Sequence, residues 1–192
     1  MDEQLRILII LGSTREGRFG DTIGRWYTEV VRQRADMDVE LIDLRDYPMR
    51  MLGDPAAESS AATDASAIWA EKVRGADGYV MVVPEYNRGY PAVLKNAIDH
   101  LYAEWNNKPI GFVSYGGIAG GARAAEQLRM VAVELQMAPI REGLVMAMAR
   151  GQFDESGQPN DPAMLDRATS MLNQLAWWGR ALKTARDTAA QS

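Results

Sequence analysis

The sequence predicts an α/β fold in which a parallel sheet is covered by helices on both faces. Five short apolar segments, rich in β-branched residues, alternate with segments of helical spacing. Such alternation is typical of right-handed β-α-β crossovers, which place helices on both faces of a parallel sheet. With 192 residues, 47% of them hydrophobic, the chain can form a sizeable core. We expect residues 1–192 to form a single domain.

The first half of the chain supplies the clearest elements. Leu5–Leu11 is almost continuously apolar, as expected of a buried parallel strand. Asp21–Arg34 follows as a helix, because apolar residues recur at steps of three and four. This predicted buried face consists of Ile23, Trp26, Tyr27, Val30 and Val31. Val39–Leu44 is a second strand, and Arg45–Ser60 has no periodicity and is predicted to be a loop whose composition permits a mobile flap.

The second half continues the alternation of helix and strand. A helix is predicted over Thr63–Arg74, with Ile68, Trp69 and Val73 facing inward. Proline at position 91 suits the first turn of the next helix, and Asp161-Pro162 suits the start of the last. The remaining predicted elements are strands at Gly78–Pro84, Pro109–Tyr115 and Pro139–Met146, and helices at Pro91–Glu104, Ala119–Met137 and Asp161–Arg186.

Composition excludes several classes of function. The net charge of −5 without a basic run argues against nucleic acid or an anionic membrane as a partner. With no cysteine and a single histidine, His100, we expect no thiolate catalysis, disulfide or metal site. Redox chemistry would therefore need a bound cofactor. Apolar runs such as Ile7–Leu11 are too short to span a membrane, and Met1-Asp2-Glu3 lacks the basic start of a secretory signal, so we expect a cytoplasmic protein.

The loop after the first strand, Gly12–Gly20, has the composition of a phosphate site. Glycines let the backbone turn its amides toward an anion, while hydroxyls and arginines add further donors. The N-terminus of the following helix contributes a partial positive charge. The Gly-Lys-[Ser/Thr] ending of the nucleoside-triphosphate loop is absent, and the glycine spacing does not match the dinucleotide fingerprint, so a mononucleotide phosphate is the better interpretation. The alternative is a polar connection with solvated arginines.

Two further loops follow the third and fourth strands, at the same edge of the predicted sheet. The first is Pro84–Pro91, which contains Tyr86 and Tyr90, and the second is Ser114–Gly121. Tyrosine rings can form a wall for a flat ligand, and backbone amides near glycines can bind its polar edge. Either loop alone could be an ordinary turn, but three loops together favour a common ligand site.

These motifs resemble the NADPH-dependent FMN reductases of the flavodoxin-like superfamily. The resemblance lies in Gly12-Ser13-Thr14-Arg15, in Pro84-Glu85-Tyr86-Asn87 followed by Pro91–Asp99, and in Ser114-Tyr115-Gly116-Gly117. It implies a flavodoxin-like three-layer sandwich with strand order 2-1-3-4-5. It also implies bound FMN, NADPH or NADH as co-substrate, a small-molecule electron acceptor, and a homodimer or homotetramer.

The resemblance assigns cofactor-binding residues position by position. The phosphate loop would contribute Ser13, Thr14, Arg15, Arg18, Phe19 and Gly20. The ring would be held by Pro84, Glu85, Tyr86, Asn87, Ser114, Tyr115, Gly116 and Gly117. Thr14 stands where many members have leucine, and Arg18-Phe19-Gly20 replaces their Ser-x-Asn ending. We therefore expect Arg18 to replace hydroxyl or amide contacts by charge, or to face the incoming nucleotide.

The family implies transfer of hydride from NAD(P)H to flavin N5 and then to a quinone, flavin, azo compound or metal oxyanion. Because the flavin performs the transfer, we predict no catalytic acid or base on the protein. His100 is expected to be structural, Glu85 to be solvated or paired with an arginine such as Arg88, and Trp177 and Trp178 to lie in the core or an interface. The alternatives are a flavodoxin-like electron carrier without a nucleotide site, or a member that has lost flavin.

Overall fold

The computed structural model describes residues 3–54 and 60–191. Its strands are β1 (Leu5–Leu11), β2 (Met37–Asp43), β3 (Gly78–Pro84), β4 (Pro109–Gly116), β5 (Ala138–Pro139) and β6 (Leu144–Ala147). Its helices are α1 (Gly20–Arg32), α2 (Ser60–Gly75), α3 (Ala92–Asp99), α4 (Ala122–Glu134) and α5 (Ala163–Ala189). Short 3-10 helices lie at Leu44–Asp46, Ala103–Trp105 and Ala149–Gln152.

All strands run parallel in one sheet with the order β2-β1-β3-β4-β5, which confirms the predicted fold class. The fifth position is divided between β5, which pairs with the start of β4, and β6, which pairs with its end. The single strand predicted over Pro139–Met146 is therefore wrong in its middle. From α4, Arg129 donates to the carbonyls of Ile140 (2.6 Å) and Arg141 (3.3 Å), which takes this segment out of the sheet.

The core forms two layers, one on each face of the sheet. Alternate residues of β1 divide between the layers: Ile7 and Ile9 pack with α1 and α5, whereas Leu8 and Ile10 pack with α2, α3 and α4. The buried face predicted for the first helix is confirmed. Ile68 was predicted to face inward, but it is 51% exposed, and Trp69 and Val73 alone of that predicted trio are buried.

Two helices are shorter than predicted for identifiable reasons. The third ends at Asp99 because indole groups take up its last carbonyls: Trp69 donates to Ala97 (2.8 Å) and Trp105 to Ile98 (3.1 Å). The fourth begins at Ala122, since Gly121 has a left-handed φ of 83° that ends the preceding turn. The loop predicted over Arg45–Ser60 contains the 3-10 helix at its start, and its residues 55–59 lie outside the described chain.

None of the helices within residues 3–54 and 60–191 has the length and apolar character needed to cross a membrane.

Candidate functional site

A cleft of about 550 Å³ opens at the carboxyl edge of the sheet. This volume lies within the usual range for small-molecule sites. Four loops line the cleft, and each follows a different strand. The lining residues are Arg15–Phe19 after β1, Pro84–Tyr86 at the end of β3, Tyr115–Gly117 at the end of β4, and Met148–Gly151 after β6.

The loop after β1 presents unpaired backbone amides near the start of α1. Among the residues that the structure describes, the amides of Thr14, Glu16 and Gly17 have no hydrogen-bond partner. Gly17 adopts a left-handed φ of 65°, which lets successive amides turn toward one side. Gly20 must be a glycine, because a Cβ there would lie 2.7 Å from the Tyr115 hydroxyl. The arrangement suits an anion such as a phosphate.

Arg18 lies beneath this loop, with its side chain only 1% exposed. Its guanidinium binds the Asp21 carboxylate at 2.7 Å, both oxygens of Asp43 at the end of β2, and the Ser13 carbonyl. Burial would lower the pKa of Arg18, but the two carboxylates outweigh it and raise the pKa. The positive charge is thus compensated by Asp21 and Asp43, and Arg18 acts as an internal support of the loop.

Asp43 is the other half of this support. Burial alone would raise the pKa of its carboxyl, but the bonds and charge from Arg18, with the Arg45 amide, outweigh burial and lower it. Arg45 continues the network by donating to the Arg15 carbonyl at 3.0 Å. Asp43 at the end of β2 and the neighbouring Arg45 therefore hold the loop after β1 in place.

Tyr86 connects the loops after β1 and β3. Its hydroxyl lies 2.8 Å from the Ser13 hydroxyl, and the Arg15 guanidinium lies 5.9 Å from the centre of its ring. The ring is half-buried and forms one wall of the cleft. Arg15 itself is exposed at the cleft and forms no ion pair with any described carboxylate.

The chain after Tyr86 forms a tight hairpin. Tyr86 and Gly89 exchange backbone hydrogen bonds of 2.9 and 3.1 Å, and the two residues between them have left-handed φ angles of 50° and 70°. These angles are those of a type I′ turn. The turn directs Asn87 and Arg88 to solvent, so neither lines the cleft.

Glu85 joins the β3 loop to the start of α4. Its carboxylate accepts from the Arg123 side chain at 2.7 Å and from the Arg123 amide at 3.2 Å. Glu85 is thus paired with an arginine, one of the two expected outcomes, but the partner is Arg123 and not Arg88, because the hairpin turns Arg88 away and α4 brings Arg123 close. By accepting from the Arg123 amide, the Glu85 carboxylate also satisfies a backbone donor in the first turn of α4, whose N-cap residue makes no side-chain hydrogen bond.

The loop after β4 brings backbone to the cleft. Gly116 and Gly117 line it, and a Cβ added to Gly117 would meet no atom within 4 Å. Burial raises the pKa of the Tyr115 hydroxyl, so this wall residue stays neutral. Ser114 is fully buried and donates to the carbonyls of Gly120 (3.1 Å) and Leu144 (3.3 Å), which places it behind the cleft.

A fourth loop, Met148–Gly151, was not anticipated from the sequence. Met148 donates to the Gly117 carbonyl at 3.0 Å, and Arg150 donates to the Gly17 carbonyl at 3.0 Å across the cleft. The signal available in the sequence was its position, since it follows the last strand at the same edge of the sheet.

The structure thus places Arg15, Arg18, Phe19, Pro84, Glu85, Tyr86, Tyr115, Gly116 and Gly117 around one cleft. Ser13, Thr14 and Gly20 lie in the same loop without lining it, while Asn87 and Ser114 point elsewhere. Within the described ranges, no group of three or more histidine or acidic side chains is arranged to hold a metal ion.

Comparison with known proteins decides the family. The family described as NADPH-dependent FMN reductase matches residues 5–151. The chain belongs to this family. A Schizosaccharomyces pombe NAD(P)H-dependent FMN reductase is 42% identical over 147 residues, 73% of each chain. An Escherichia coli quinone reductase is 32% identical over 180 residues, which cover 90% of this chain and 94% of the relative.

A solved structure supports the fold of this reductase. The flavoenzyme NAD(P)H:(acceptor) oxidoreductase FerB from Paracoccus denitrificans superposes with a TM-score of 0.76 at 18% identity, covering 92% of this chain and 98% of that one. The reductase is therefore an NAD(P)H-dependent enzyme with FMN as its cofactor. The cleft fits such a group, because unpaired amides and a free arginine lie at one end and aromatic and glycine surfaces at the other.

Proposed function

We propose that this reductase holds FMN in the cleft and uses NAD(P)H to reduce quinones. The observation that carries the proposal is that the two ends of the cleft differ in chemistry. Its β1-loop end offers the amides of Thr14, Glu16 and Gly17 with the Arg15 charge, and its other end offers Tyr86 and a glycine backbone. A phosphate at one end and a flat ring at the other match these surfaces.

In this proposal the predicted phosphate residues have different tasks. Arg15 and the loop amides contact the phosphate, whereas Arg18 positions the loop because its own charge is compensated by two carboxylates. Ser13 fixes Tyr86 through its hydroxyl, and Phe19 lines the cleft beside the loop. Gly20 allows the close approach of Tyr115.

The ring would lie between Tyr86 and the loop after β4. Pro84, Tyr115 and Gly116 form its apolar surroundings, and the Gly117 amide, which has no partner among the described residues, can donate to its polar edge. When bound, FMN supplies the hydride-accepting and hydride-donating chemistry. The protein contributes orientation and a neutral lining, since Glu85 is paired with Arg123 and the Tyr115 hydroxyl stays protonated.

A quinone is the acceptor that we favour. Tyr86 and Met148 line the cleft, and Met148 is 65% exposed, so the cleft offers an accessible apolar surface to a flat acceptor. The similarity to the Escherichia coli quinone reductase over most of both chains supports the same acceptor class.

The test is anaerobic stopped-flow spectroscopy of the purified FMN-loaded protein. We expect NADPH or NADH to bleach the flavin absorbance without a protein partner, and benzoquinone to restore it faster than free flavin, an azo dye or chromate does. Steady-state kinetics should show the parallel lines of a ping-pong reaction. Flavin that bleaches only with a separate reductase protein would contradict the proposal and favour an electron carrier.

We also propose that the protein forms a homodimer or homotetramer. The support is a number of large apolar side chains that are exposed in the single chain, two of them on α4. They include Ile118, Met130, Val133, Val145 and Met148.

A further inference from the structure

Four arginines surround the phosphate-type loop, and two of them are compensated by acids. Arg18 binds Asp21 and Asp43. The Arg45 guanidinium lies 3.9 Å from the Asp21 carboxylate and also donates to the backbone carbonyls of Thr14 and Arg15. The charges of these arginines are therefore balanced within the protein, and they add little attraction for an anion in the cleft.

Arg15 and Arg150 have no carboxylate partner in the part of the chain that the structure describes, and both line the cleft. They come from opposite sides of it, Arg15 from the loop after β1 and Arg150 from the loop after β6. An FMN phosphate carries about −1.5 to −2 charges near neutral pH. Because Glu16 also lines the cleft, Arg15 alone would leave little net positive charge for this phosphate, whereas Arg15 and Arg150 together leave a net positive charge.

The contacts of Arg150 place its guanidinium directly at the loop. One nitrogen donates to the Gly17 carbonyl at 3.0 Å, and the guanidinium lies 5.3 Å from the centre of the Phe19 ring. Only one donor of the planar group is used in this way, and the side chain is exposed, so further N–H groups can reach a phosphate beside Gly17.

The backbone presents Arg150 in a defined orientation. Met148 has a left-handed φ of 49°, which is uncommon for a residue with a side chain, and Gly151 donates back to the Met148 carbonyl at 3.0 Å. Ala149 is buried, and Gln152 donates to the Ala147 carbonyl. This strained turn is held by its surroundings, as is common for residues at functional sites.

We infer that Arg150 is a second cation of the FMN phosphate site, and that it closes the phosphate end of the cleft from the opposite side. The inference rests on the proposed placement of the phosphate at the loop after β1. It adds a residue from the loop after β6 to a phosphate site otherwise built from the loop after β1, so release of FMN requires the Arg150–Gly17 contact to open.

The experiment compares FMN with riboflavin, which lacks the phosphate, on the full-length protein. Arg150→Met keeps an apolar stem over Phe19 but removes the charge and donors, and Arg150→Lys keeps the charge. Flavin fluorescence quenching gives the dissociation constant and release rate for each ligand. Arg141→Met is the matched control, because Arg141 is also an exposed arginine, with its side chain 87% exposed, and it lies outside the cleft.

We expect Arg150→Met to weaken FMN binding about 10- to 100-fold, the loss typical of a charge-assisted hydrogen bond, and to speed release. The affinity of Arg150→Met for riboflavin should change less than about twofold. The FMN affinity of Arg150→Lys should fall between those of wild type and Arg150→Met, and Arg141→Met should bind FMN as wild type does. The melting temperature of the flavin-free variants shows that they fold.

Four results would overturn the inference. Equal loss of FMN and riboflavin affinity would mean that Arg150 only maintains the shape of the cleft. If Arg150→Met leaves FMN affinity unchanged and raises only the Michaelis constant for NADPH, Arg150 contacts the nucleotide and not the FMN phosphate. If wild-type protein itself binds riboflavin as tightly as FMN, the proposed phosphate site fails as well. If Arg150→Met prefers FMN over riboflavin by the same factor as wild type does, only the role of Arg150 is refuted.

Discussion

Arg15 is the side chain whose charge is most available to the FMN phosphate. It is exposed at the cleft, has no acidic partner among the described residues, and lies against the Tyr86 ring. We predict that Arg15→Ala weakens FMN binding by about 1.5–3 kcal/mol, as for loss of a charged hydrogen bond. Titration of flavin fluorescence measures the change. Arg88→Ala is the control, because the neighbouring hairpin directs Arg88 to solvent; unchanged affinity in Arg15→Ala would exclude the phosphate role.

Asp43 links the stability of the site to pH. Its pKa is lower in the folded protein than in the unfolded chain, where it is about 3.9. Its stabilising contribution is therefore complete above that value and is lost as the pH falls through the folded pKa. We predict that Asp43→Asn lowers the free energy of unfolding by about 1–3 kcal/mol at pH 7, since the buried Arg18 loses one of its two carboxylate partners.

In urea denaturation, the difference between Asp43→Asn and wild type should begin to shrink below about pH 4, where the carboxyl of the unfolded chain binds a proton, and should disappear once the pH falls below the lower pKa of the folded protein. Asp38→Asn, at an exposed position of the same strand, should be close to neutral at both pH values. A difference that stays constant down to pH 2 would show that Asp43 acts by shape and not by charge.

At the scale of the elements, Tyr27 on α1 and Tyr79 on β3 form a natural pair for comparison. Both rings are fully buried, but the Tyr27 hydroxyl has no hydrogen-bond partner among the residues described, whereas Tyr79 donates to the Val73 carbonyl at 2.8 Å. We predict that Tyr27→Phe leaves stability unchanged or raises it by up to about 1 kcal/mol, and that Tyr79→Phe lowers it by about 1–2 kcal/mol. Thermal and urea unfolding of both variants measure the effects, and destabilisation by Tyr27→Phe would reveal a buried water.

The elements also show what the sequence can predict. Continuous apolar runs made β1 and β3 recognisable, because a strand buried on both faces needs no distant partner to identify it. The division between β5 and β6 depends on Arg129, whose side chain reaches carbonyls from a different element. The end of α3 depends likewise on Trp69 and Trp105. Local pattern does not contain such tertiary contacts.

The candidate site likewise has parts that the sequence predicts and parts that depend on tertiary contacts. Its location and the phosphate loop follow from glycines and hydroxyls placed directly after a strand. The compensation of Arg18 could not be foreseen, because Asp43 reaches it only when β2 lies beside β1. Trp177 and Trp178 were expected in the core or an interface, and the structure excludes the core, since they are 64% and 37% exposed.

At the scale of the whole molecule, the proposed self-association depends on α4. Met130 and Val133 are 73% and 59% exposed there. We predict that sedimentation velocity of the wild-type protein shows a dimer or tetramer, and that Met130→Glu with Val133→Glu reduces the mass, because paired carboxylates resist burial. Ile68→Glu, at an exposed apolar position on α2, is the control. A wild-type monomer at micromolar concentration would contradict the proposal.

The interrupted fifth position of the sheet has a consequence for resistance to aggregation. A long edge strand offers a row of free amides and carbonyls to which another chain can add. Here Ala138 and Ile140 donate inward to β4, and the residue between them is Pro139, which has no outward amide to offer. The following residues leave the sheet before β6 begins. The exposed row is thereby cut into two short pieces, and this margin is a poor template for fibril growth.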